Sequence, residues 1–133
     1  MDKKTRDNAT MMNGLYWWGV PTLFRCPYKP DPEGCDIALV GVPHSTGNGT
    51  TQRDQHLGPR AVRNISALGR RGHLKFGISP WEMCDIRDFG DVPLPEANNN
   101  EQCIERITEF YDVLADSGVR PVSIGGDHSI TGG

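Results

Sequence analysis

The sequence offers little to several common chemistries. Its four cysteines, at 26, 35, 84 and 103, never fall as Cys-x-x-Cys and have no histidine pair at a useful offset. That spacing excludes the usual zinc modules. Basic residues are few and scattered, 14 Lys and Arg against 17 Asp and Glu for a formal charge of −3. No basic stripe exists to track a phosphate backbone, so no nucleic-acid partner is expected. No apolar window is long enough to cross a bilayer, and no membrane association is expected. The segment Met1–Asn13 is polar and lacks the apolar stretch of a secretory signal. A cytoplasmic location with reduced thiols is the expectation that follows.

What is present is turn chemistry. Sixteen glycines and ten prolines make up close to a fifth of the 133 residues, which predicts many turns and long irregular stretches in one modest domain or part of one. Residues 1–34 read as an extended arm, broken by Pro27, Pro30 and Pro32. The adjacent Trp17 and Trp18 need cover, either from the arm's own domain or from a neighbouring subunit.

Beyond the arm, Ile37 to Val42 is a short apolar run closed by Pro43, suited to a strand buried on both faces. Pro59 opens a helix expected to run to Leu68 and stop at Gly69. Met83 to Phe89 is a weaker strand candidate, followed by loop from Gly90 to Asn100. The clearest helix spans Glu101 to Asp116, with Ile104, Ile107, Tyr111 and Leu114 on one stripe, Asn99 and Gln102 placed as a capping box, and Gly118 as the left-handed stop. Val119 to Ile124 reads as a second buried strand ending in Gly125-Gly126. Strand, helices, strand is the order of a parallel α/β unit, whose ligands bind beyond the carboxyl ends of the strands. The fold class expected is therefore α/β with a parallel sheet. Too few residues follow Gly126 to form a covering helix, so the sequence is expected to be cut within its fold.

Two polar segments open onto that one edge. In Gly125-Gly126-Asp127-His128-Ser129 the glycines let the backbone turn sharply, and His128 places an imidazole where it can bind a borderline divalent metal. Asp127 can bind metal itself or orient the ligand from behind; the plainer alternative is a strand-ending turn with a solvated Asp and an ordinary His. The segment from His44 to Gly49 suits a substrate-entry loop, with His44 and Asn48 as its candidate contacts, or a loop with no ligand. It lacks the Gly-x-Gly-x-x-Gly order of a dinucleotide fingerprint. Arg60 and Arg63 share a helix face, where they can clamp a carboxylate or, more simply, pair with acidic side chains of the protein. His44, His56 and His73 are too dispersed to be ligands.

These motifs, in this order, resemble the ureohydrolases (arginase, agmatinase, guanidinobutyrase and relatives). The shared elements are Gly41-Val42-Pro43, Gly58-Pro59-Arg60-Ala61-Val62-Arg63 and the segment 125–129. The resemblance spans about residues 14–133. Gly47 to Leu57 and Trp17 to Thr22 look like the agmatinase-like branch, in a subgroup acting on guanidino acids, free guanidine or biguanides. The resemblance implies the N-terminal part of a three-layer α-β-α fold, with residues 35–133 the start of the catalytic domain. It implies two divalent metal ions, Mn²⁺ as the usual metal with Ni²⁺ compatible with the donor set. It makes His128 a metal ligand with Asp127 supporting it. It also implies a small guanidino substrate and a homo-oligomer, trimer or hexamer.

The implied reaction is hydrolysis of a guanidino C–N bond with release of urea. The family's Asp-x-His-x-Asp and Asp-x-Asp-x-x-Asp-Pro motifs do not occur in these residues, so this stretch alone is expected to be inactive. Two rivals stand beside that reading: a non-catalytic subunit that assembles with an active partner, and an anion-binding α/β module using the 44–49 loop.

Overall fold

Alternation explains why Ile37–Val42 (β1) lies at the centre of the structure. Ala38, Val40 and Val42 point to one side and Ile37 and Leu39 to the other, so both faces of the strand are apolar and both are covered. The computed structural model describes residues 19–45, 54–68 and 72–132. Within them β1 is flanked by Ile86–Asp91 (β2) and Arg120–Gly125 (β3), in the order β2-β1-β3. Both pairings are parallel, with Ile37 opposite Ile86 on one side and Arg120 on the other. Asp36 and Asp85 lock the first of these registers: Asp36 donates its N–H to the Asp85 carbonyl (2.9 Å), and Asp85 returns one to Oδ2 of Asp36 (2.7 Å).

Helices cover the two faces separately. Gly58–Ser66 (α1) and the single turn Pro80–Met83 (α2) lie on one side. There Leu23 and Cys26 from the arm join Leu39 and Ile86, with Val62, Trp81 and Ile124 packed around them. Asn100–Ser117 (α3) covers the other side, where Ile107 and Leu114 meet Ala38, Val40, Val42, Phe89 and Val92. This is the three-layer α-β-α arrangement with a parallel sheet that the sequence implies. Asn99 caps α3 by accepting from the Gln102 N–H (3.1 Å), and Gly118 ends it at φ 73°. Among the described residues no helix is long and apolar enough to cross a membrane.

The structure moves several boundaries. Met83 closes α2 instead of opening a strand, because Pro80 pre-sets the first helical turn and Cys84 donates back to its carbonyl (2.8 Å). Gly90 and Asp91, expected in a loop, still belong to β2, and Val92 donates to the Gly41 carbonyl (2.9 Å). The α1 helix stops at Ser66, two residues early. The largest difference concerns β3, expected to be buried: residues 120–123 are exposed, Val122 by 48%. Among the described residues β3 is the outermost strand. Trp17, Trp18, Asn48 and Gly69 lie outside the described residues.

Candidate functional site

Parallel pairing carries the ends of β1 and β3 to the same place, with Val42 opposite Gly125. The chain then converges more tightly than side chains would permit. A Cβ on Gly58, at the start of α1, would collide with the Gly125 carbonyl oxygen. A Cβ on Gly126, at φ +63°, would sit 2.6 Å from the Val42 oxygen and 2.7 Å from that of His44. Glycine is therefore required at both positions, once for close approach and once for conformation as well. Three backbone hydrogen bonds fix the turn. Gly126 donates to Gln55 (3.2 Å), Asp127 to His44 (3.0 Å), and His44 to Val42 (2.8 Å).

Asp127 and His128 divide the work of the turn. The Asp127 Oδ1 accepts from the Ser129 N–H (3.0 Å) and from the Ser129 hydroxyl, closing the loop that starts the short 3₁₀ segment His128–Gly132. His128 is exposed, with its imidazole held out at the carboxyl edge. Its backbone carbonyl accepts from Thr131 (2.7 Å). The Asp127 carboxylate is thus engaged with Ser129, while the adjacent His128 is exposed. One exposed imidazole suits a borderline metal as a single donor. Among the described residues no three His, Cys, Asp or Glu side chains gather closely enough to hold an ion.

His44 behaves otherwise. It is 2% exposed, and its Nε2 is buried without a hydrogen-bond partner. Its neighbour Ser45 donates to Oε1 of Gln55 (3.0 Å), tying the start of the 44–49 loop to the residues before α1. His56 and His73 are exposed and distant in role; the latter stacks on Phe76 at 4.5 Å.

The sequence reading missed two carboxylates. Asp88 is 1% exposed and accepts from the Leu23 N–H (2.8 Å), the Gly90 N–H (2.8 Å) and Nε and Nη2 of Arg63 (3.2 Å each). Asp91 accepts from Nη1 of Arg63 at 2.6 Å. Burial opposes the Arg63 charge, but the two carboxylates outweigh it and raise the pKa of the guanidinium. Arg63 is therefore an internal tie between α1, β2 and the arm, while Arg60 on the same helix is exposed. A cleft of about 460 Å³ opens beside this tie, lined by Val20, Pro21, Tyr28 and Asp91 among others. The useful signal in the sequence was Asp88 inside a strand, a carboxylate whose burial is untenable without a cation.

The adjacent carboxyl ends of β1 and β3 in a parallel α/β sheet thus carry the Gly125-Gly126-Asp127-His128 turn. The sequence profile of the Arginase family matches residues 35–133, and the chain belongs to that family. It is 36% identical over 113 residues to the guanidinopropionase of Pseudomonas aeruginosa, covering 85% of this chain and 35% of that protein. It is 37% identical over 113 residues to the mitochondrial agmatinase of Gallus gallus, covering 85% and 33%. The solved structure of proclavaminate amidinohydrolase from Streptomyces clavuligerus superposes with a TM-score of 0.78 at 27% identity, covering 86% of this chain and 38% of that one. The chain spans about a third of the length of the curated relatives it matches.

Proposed function

We propose that this chain is the N-terminal third of a two-metal amidinohydrolase that cleaves a guanidino C–N bond and releases urea. The observation that carries the reading is the exposed His128 imidazole at the carboxyl end of β3, on a turn braced by Asp127. His128 would supply one nitrogen donor and Asp127 would fix its aim; further ligands come from outside these residues. Divalent ions, Mn²⁺ or Ni²⁺, would supply the acidity that makes water a nucleophile near neutral pH. That acidity is needed because the guanidinium carbon is a poor electrophile, its charge being delocalised over three nitrogens.

On this reading residues 1–34 form an arm, residues 35–133 begin the catalytic domain, and the stretch alone is inactive. The substrate is a small guanidino compound met at the carboxyl edge, where the 44–49 loop with His44 and Asn48 begins. The similarity to guanidinopropionase and agmatinase supports that class without choosing within it. The protein works as a homo-oligomer in the cytoplasm, a setting that its four free thiols support.

The test is to express the complete protein with Mn²⁺ or Ni²⁺ and measure urea from agmatine, 4-guanidinobutyrate, 3-guanidinopropionate, guanidine and metformin. Urea from at least one is expected. Stoichiometric metal with no urea from any would sink the hydrolase reading and favour a non-catalytic subunit. His128→Ala should lose at least one metal ion and most activity, whereas unchanged metal content would remove His128 from the ligand set.

A further inference from the structure

Buried polar atoms in folded proteins are nearly always paired, so an orphaned one at a functional edge calls for an explanation. Nε2 of His44 is such an atom. The residue lies just past the end of β1 and is 2% exposed. Its backbone is the mount of the Gly125–Ser129 turn: its carbonyl holds the Asp127 N–H at 3.0 Å, and Gly126 packs directly against it. The carboxylate of Asp127, whose N–H the His44 carbonyl holds, is engaged with Ser129 through Oδ1. An apolar side chain would fill the same space without leaving a nitrogen unpaired. Histidine is used where its nitrogen has an occasional partner.

We propose that His44 is a positioning residue of the metal centre, its Nε2 gaining a hydrogen-bond partner only when the centre is loaded. This rests on the amidinohydrolase reading above. His44 then links metal occupancy to the packing of the turn that carries His128. Residues that support metal ligands in this way commonly change affinity by about 10- to 100-fold when altered.

The experiment compares the complete wild-type protein with H44F and H44Q. It reads two quantities: the melting temperature of the metal-free form, and the Mn²⁺ dissociation constant by chelator competition. H44F removes the orphan nitrogen while keeping a ring, so its metal-free melting temperature should equal or exceed that of the wild type. Its Mn²⁺ affinity should fall about 10- to 100-fold, and H44Q, whose amide reaches the same position, should restore most of it. Wild-type affinity in H44F overturns the proposal, as does an affinity loss that H44Q fails to restore. If H44F does not fold, H44L replaces it, and equal affinities in H44L and H44Q overturn the proposal. A wild type that binds no Mn²⁺ removes the amidinohydrolase reading as well, and so is distinguished from failure of the His44 role alone.

Discussion

Asp88 shows how much one side chain can hold. Its carboxylate gathers the arm through Leu23, α1 through Arg63 and its own strand through Gly90. The arm turn it grips is strained, with Phe24 and Arg25 at φ 52° and 58°. Asp88→Asn should therefore destabilise the protein by about 3–5 kcal/mol, the usual effect of breaking a buried pair, read as a lower denaturation midpoint. Arg63→Lys should recover little stability compared with Arg63→Ala, since a point charge cannot serve both carboxylates in the fork geometry. Gly126→Ala should cost at least about 2 kcal/mol from positive φ and contact with two carbonyl oxygens. The Gly-Gly-Asp-His turn was legible because its chemistry is contiguous. The Arg63–Asp88 tie was not, because its partners lie 25 residues apart and no spacing rule joins them.

At the scale of elements, legibility followed periodicity. The α3 helix was found nearly whole, since its stripe, its Asn99 cap and its Gly118 stop all agree. Leu114→Ala should cost about 2–5 kcal/mol, and Asn99→Ala about 1 kcal/mol, both measurable by denaturant titration. The apolar run of β3 states what the strand would accept, and the described residues place no further strand beside it. Thiol chemistry gives another element-level check. Burial pushes the Cys103 thiol up, with Glu96 adding to it, and burial likewise raises Cys35. Both should label slowly with a disulfide reagent at neutral pH, after the half-buried Cys84; equal rates in the folded protein would contradict the packing. Their raised values stabilise the fold fully below the ordinary thiol range, and that contribution is lost as pH rises through the folded-state value.

Across the whole molecule, β1 serves both halves of the core, one set of side chains facing α3 and the other facing α1, α2 and the arm. Its neighbours come from far along the chain: Ile37 must find Ile86 and then Arg120. Pairings of such long range form slowly. On the ribosome β1 emerges first and waits, with Ile37–Val42 unpaired, while the residues that will flank it are still being made. A nascent chain arrested before Ile86 would carry that hydrophobic strand with no partner at either edge, and should partition to chaperones or aggregate. Release of a chain that extends past Gly125 should relieve this, since both edges of β1 can then close. The order of synthesis, as well as the native packing, therefore makes the middle strand the vulnerable one.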